Sequence, residues 1–292
     1  MTAATGTGRA PETRAGQAST NQHYDQDPRV FQLYLDRTCK YSSGLYHTPQ
    51  DTLDQAQQNK LHFVADRLGL RAKPNARLLD IGSGWGSLIL FMAAEYGATS
   101  VGISPAPNQH EYITGRAREL GLQDLVSTRV GLVEELELDP RSFDAISMLG
   151  SIVHMPDLDG AFARAWAALR PRGRLYVSES CYRSEAKHAE FARRRGSVFV
   201  SDSIFGWGDM RPLSELVRGA ENAGFTVIAV DDLTEHYHRT IEHWQDNIRR
   251  NVAELERLEP GLPGRLQRYL QTANAGWGYT TKHYALTCQK SR

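Results

Sequence analysis

The sequence predicts an α/β fold: a seven-stranded, mostly parallel, doubly wound sheet with an N-terminal helical segment and a helical lid. Three observations predict it. Short β-rich runs alternate with helical runs from Arg77 to Glu179, a rhythm that builds a parallel sheet with helices on both faces. The first of these strands runs into a glycine-rich turn, Leu79-Asp80-Ile81-Gly82-Ser83-Gly84-Trp85-Gly86. Two more strands come late, separated by about 50 mostly helical residues, an insertion long enough to cover the ligand end of the sheet.

Residues 1–22 hold alanine as their one apolar residue type past the initial Met, among Thr, Gly, Ser and Pro. Such a segment buries too little surface to offset its ordering entropy and is expected to be a tail. Residues 23–75 are expected to form a helical cap, with helices near Arg29–Asp36 and Thr52–Leu68, the second stopped by Gly69. Residues 76–182 form the expected ligand-binding core. Its strands are Arg77–Ile81, Ser100–Ile103, Val126–Val130, Phe143–Leu149 and Arg174–Glu179. Its helices are Ser87–Tyr96, Asn108–Leu120 and Leu158–Leu169, the first two closed by Gly97 and Gly121. Residues 183–292 hold helical stretches around a loop at Phe205–Pro212, then strands Phe225–Val230 and His283–Thr287, with residues 231–280 as the expected lid.

Composition narrows the function. Lys plus Arg and Asp plus Glu are 34 each, so the chain lacks the basic excess of a non-specific nucleic-acid binder, and no nucleic-acid partner is expected. The longest apolar run, Leu88–Ala94, spans seven residues, far short of a bilayer crossing, so no stable membrane insertion is expected. The N-terminal segment does not read as a secretory signal. The scattered Cys39, Cys181 and Cys288 read as reduced packing residues of a cytoplasmic protein, and no metal site is expected. Homodimerisation is left open.

The glycine turn carries the chemistry. Glycines let the backbone turn sharply and approach a ligand, and the following helix aims its N–H groups at the same place. A dinucleotide fingerprint would read G-x-G-x-x-G with an acid closing the second strand. Here Ser87 stands where the third glycine would fall, and no acid follows the second strand. D-x-G-x-G-x-G after a strand is instead the pattern for S-adenosylmethionine. Gly82 and Gly84 would admit its amino-acid part, and the Asp80 carboxylate would accept from its ammonium, directly or through water.

The stretches HYDQDPRVFQLYLDRTCKYSSGLY, LLDIGSGWGSL, VGISPAPNQ and DLTEHYHRTIEHW resemble class I methyltransferases of the cyclopropane-fatty-acid and mycolic-acid cyclopropane synthase group, over much of residues 23–288. The resemblance implies the class I methyltransferase fold, S-adenosylmethionine as cofactor and a set of site positions. Tyr41 and Ser42 match a Tyr-Ser that reaches the cofactor's methionine end in the family. Ser104 and Gln109 match a Thr and a Gln beside the cofactor, where a hydroxyl and an amide can bond ribose hydroxyls. Leu132 falls where the family usually has Asp near the adenine. Trp85 and Leu149 complete the expected cofactor set.

The family's cyclopropanating half matches poorly. The resemblance implies a bicarbonate held by Cys, Glu, His and Tyr. The Cys position is Ser43, the Glu position is Val153, and the His-Thr ending the fifth strand is replaced within Ser178-Glu179-Ser180-Cys181. Tyr237 matches. The expectation is an S-adenosylmethionine-dependent methyltransferase acting on a small organic acceptor of specialised metabolism, at O, N or C. Lipid cyclopropanation or acyl-chain methylation is the alternative reading, and a non-catalytic cofactor-binding partner protein is a third. His154, after the fourth strand, is the expected base, because an ordinary imidazole accepts a proton near neutral pH. Tyr237 and Glu179 are expected to orient the acceptor. Lid aromatics, among them Phe199, Phe205, Trp207, Trp244, Tyr269, Trp277 and Tyr279, read as lid packing or an apolar pocket.

Overall fold

The structure, a computed structural model, describes residues 27–195 and 208–291. The expected tail and Phe199, Phe205 and Trp207 lie outside the described residues. Seven strands form one sheet in the order β3-β2-β1-β4-β5-β7-β6. They are β1 (Arg77–Ile81), β2 (Thr99–Ser104), β3 (Val126–Val130), β4 (Phe143–Leu149), β5 (Leu169–Tyr182), β6 (Phe225–Asp232) and β7 (Thr281–Lys290). All neighbours are parallel except β7, which runs antiparallel to both β5 and β6. Strand order reverses between β1 and β4, the place where ligands bind beyond the carboxyl ends of such sheets. Every residue of β4 is buried, as a central parallel strand covered on both faces requires.

The helices are α1 (Pro28–Tyr34), α2 (Leu53–Leu68), α3 (Ser87–Tyr96), α4 (Pro107–Glu119), α5 (Leu158–Ala168), α6 (Glu185–Phe191), α7 (Leu213–Asn222), α8 (Thr234–Arg250), α9 (Val252–Leu258) and α10 (Leu262–Asn274). Thr52 starts α2 with a reciprocal capping box to Gln55, and Gly69 ends it in the left-handed region at φ 75°. Strand β5 is longer than its expected core. Arg170-Pro171-Arg172-Gly173 reads as a turn, and Arg172 does adopt φ 64°, yet Leu169 still pairs with Phe143 across the irregularity.

The expected lid is packed onto the cap: α8 to α10 share an apolar cluster with α1. Phe31, Tyr34, Trp244, Ile248, Leu266 and Leu270 are all buried there. Burying side chains of this size contributes about 1.5–3 kcal/mol each. A polar tie adds to it: Thr240 Oγ accepts from the Gly44 N–H at 2.9 Å and donates to the His236 carbonyl at 2.7 Å. The segment from Tyr41 to Tyr46 is thereby held against α8, over the end of the sheet.

Candidate active site

Two cavities sit at the carboxyl ends of β1, β4 and β5. The narrower, about 140 Å³, lies on the glycine turn. The wider, about 520 Å³, lies between β5, β7 and the lid helices. Tyr41, Gly150 and His154 line both, so the two cavities meet there.

The turn is built for close approach. Gly82 has φ 83°, and a Cβ on it would lie 2.3 Å from Ser151 Cβ. Gly86 has φ 78°, and its Cβ would lie 2.5 Å from Ile113. Only glycine fits at either position. Gly82, Gly84, Trp85, Ser104, Gln109, Leu132 and Leu149 all line the narrow cavity. Ser104 Oγ donates to Gln109 Oε1 at 2.5 Å, coupling the two polar groups expected to lie side by side. Trp85 also packs between Phe31 and Tyr112, at ring distances of 5.4 and 5.2 Å.

Two expected cofactor residues sit elsewhere. Asp80 is fully buried behind the wall and lines neither cavity. The pleat of β1 turns its carboxylate toward Ser147, whose Oγ donates to Oδ1 at 2.7 Å, while Oδ2 has no hydrogen-bond partner among the described residues. Burial pushes the Asp80 carboxyl above its usual range, against the pull of Lys40 and the Ser147 bond. Ser42 lines the wide cavity only, and its Oγ accepts from Lys60 Nζ at 3.0 Å. Lys40, which the sequence reading missed, is buried on the narrow cavity's wall. Its signal was a lone lysine between Cys39 and Tyr41, in a segment that had to be packed.

The three expected catalytic residues come together. His154, Tyr237 and Glu179 all line the wide cavity. Of the polar cluster Glu235–His238, Tyr237 alone reaches that wall. His236 instead accepts from the Tyr46 N–H, and His238 pairs with Glu242. Trp244, Tyr269 and Trp277 also line the wide cavity, whereas Tyr279 is exposed.

Glu179, expected at the ligand end of the fifth strand, is on the cavity wall and accepts from the Val153 N–H at 3.3 Å and the Ser180 N–H at 2.9 Å. Burial pushes its carboxyl up to about 7, partly offset by these two bonds. Ser43, by contrast, lines neither cavity, and its Oγ donates to the Gly44 carbonyl.

His283 was also missed. It sits on β7 opposite Ser180. Its ring pairs with Ser178 Oγ at 2.9 Å and Ser180 Oγ at 3.3 Å. Its edge-on contact with Tyr237 has a centroid distance of 4.6 Å. Burial, with the nearby Lys60 charge, pushes its imidazole down to about 3, so it is neutral at working pH. Register across β5 and β7 creates this cluster, and no local spacing signals it.

The family described as Mycolic acid cyclopropane synthetase matches residues 12–284. The chain belongs to that family. Among curated relatives, a "Probable fatty acid methyltransferase" of Pseudomonas putida is 30% identical over 89% of this chain and 65% of its own length. Sphingolipid C9-methyltransferase B of Emericella nidulans is 30% identical over 79% of this chain and 45% of its own length. The chain thus spans about half to two thirds of these relatives. Among solved structures, the cyclopropane synthase CmaA1 complexed with SAH and CTAB has a TM-score of 0.86 at 25% identity, covering 94% of this chain and 98% of that one. The fold is the class I methyltransferase fold, and the family is one of S-adenosylmethionine-dependent transferases. Among the described residues, no helix is long and apolar enough to cross a membrane.

Proposed function

We propose that the chain is an S-adenosylmethionine-dependent methyltransferase whose acceptor is a small organic molecule seated in the wide cavity. The observation that carries this reading is the meeting of the two cavities at Tyr41, Gly150 and His154. A donor site at the glycine turn thereby opens onto a separate acceptor site.

The residues of the narrow cavity fit the cofactor. Ile103, Leu132, Val133 and Met155 supply apolar wall for an adenine. Ser104 and Gln109 offer hydroxyl and amide to a ribose. At the other end, Lys40 on the wall offers a buried ammonium to the cofactor's carboxylate. When bound, the cofactor supplies an electrophilic sulfonium methyl. The chain's own residues hold the acceptor, exclude water and take up a proton. Tyr41 and the lid aromatics close the site, Tyr237 and Glu179 orient the acceptor, and His154 accepts the proton where the cavities meet. Positioning supplies most of the rate and the base a smaller factor.

The names of the relatives favour a second reading, methylation of an acyl chain, and the aromatic wall would accept one. The buried, free Cys39, Cys181 and Cys288 support a cytoplasmic setting. Calorimetric titration with S-adenosylmethionine tests the main reading. Wild type should bind, and Gly82→Val should weaken binding at least tenfold, because its side chain enters the space of Ser151. Unchanged affinity in the variant would refute the cofactor assignment.

A further inference from the structure

We propose that the wide cavity is an ammonium-binding site, so that the acceptor is an amine recognised as its cation by the Glu179 carboxylate and the surrounding aromatic rings, and freed for attack when one ammonium proton passes to His154. The inference deepens the methyltransferase reading and rests on it for the meaning of "acceptor".

Apart from His154, which the methyltransferase reading uses as the base, the charges on the cavity wall decide it. Arg194 is paired with Glu190 at 3.0 Å, and Asp209 with Arg211 at 2.9 Å. His283 is neutral, with a hydroxyl at each ring nitrogen. His188 stacks on Tyr182 at 4.9 Å. Glu179 stands apart. It is 6% exposed, it lines the cavity, and its bonds are to two backbone N–H groups. No cationic side chain among the described residues pairs with it. A buried carboxylate without a counter-ion is costly, and a cationic ligand would supply what the chain leaves out.

The rest of the wall suits the same guest. Tyr41, Tyr237, Trp244, Tyr269 and Trp277 line the cavity. Tyr237 lies 5.1 Å from Trp277, and Tyr41 lies 5.1 Å from Trp244, so the rings form a continuous surface. Aromatic faces attract ammonium groups, and more strongly where water is excluded. An unsaturated acyl chain would use the rings but would leave Glu179 unpaired.

The test compares two probes of similar size, phenethylammonium and 2-phenylethanol, by calorimetry at pH 8.5 with S-adenosylhomocysteine present. Wild type should bind the cation at least tenfold more tightly than the alcohol. The near-isosteric Glu179→Gln should erase that preference while keeping its affinity for S-adenosylhomocysteine. Equal binding of the two probes by wild type, binding of neither, or a preference that survives in the variant would overturn the proposal. The wild-type comparison stands even if the variant does not fold. Failure to bind S-adenosylhomocysteine would count against the methyltransferase reading instead, and is read separately from the probe preference.

Discussion

Replacing Glu179 by Gln should stabilise the protein, and only above a certain pH. A carboxyl that holds its proton more tightly in the folded chain than in the unfolded one favours the fold in acid. That advantage is lost as pH rises from the unfolded value through the folded one. For Glu179 the window runs from 4.5 to about 7. At 1.36 kcal/mol per pH unit the interval corresponds to about 3 kcal/mol. Glutamine keeps an acceptor oxygen for the Val153 and Ser180 N–H groups and removes the buried charge. The unfolding free energy of Glu179→Gln minus that of wild type should therefore rise by about 3 kcal/mol between pH 4 and pH 8. His283 works in the opposite sense: with its imidazole lowered from 6.5 to about 3, it loses stability as pH falls. Both proteins carry it, so it cancels from the difference. Urea titrations of the ligand-free proteins at several pH values measure the effect. A difference that stays flat with pH would show that the Glu179 carboxylate is solvated or paired in the native protein, and the argument from its burial would fail.

Two further outcomes follow from the same geometry. His154→Ala should lower turnover by about 10²–10⁴ if this histidine accepts the acceptor's proton, while affinity for S-adenosylhomocysteine stays within a few-fold. A loss below about tenfold would mean that positioning alone carries the step. Hydrogen exchange across residues 234–274 should be slow without ligands, because α8 to α10 share a core with α1, and should slow further when cofactor and acceptor are both bound. Rapid exchange throughout the segment in the free protein would contradict the packing.

Most of the parallel sheet was legible because its signals are local. A short apolar run, a glycine stop and a cap each act within a few residues, so β1, β3, β4 and α3 fall at their expected bounds. The glycine turn was legible for the same reason, since Gly82 and Gly86 each answer a steric demand that other residues cannot meet. What escaped depends on contacts far apart in sequence. The lid's attachment rests on α1 meeting α8 and α10, more than 200 positions away. Lys40 and His283 acquire their places through packing and cross-strand register. Asp80 was assigned to the cofactor by its motif, but strand pleat turns its side chain behind the wall. A motif names a position and leaves the direction of its side chain to the backbone.

The place of the Glu179 carboxylate bears on what the site can do. Position 153 sits in the short turn after β4, where the N–H groups of Gly150, His154 and Met155 are bonded to backbone carbonyls. Glu179 sits on β5 and takes the Val153 N–H for itself. A turn donor thus holds an acid from the sheet. His283 is bonded to two serine hydroxyls, and Lys60 is turned to Ser42 and lines neither cavity. At the Glu179 end of this cavity an anion would meet a carboxylate, whereas a cation would meet that carboxylate and ring faces. Electrostatics at the described wall therefore select against a small anion beside Glu179. They favour a positively charged guest, the sign on which the amine proposal depends.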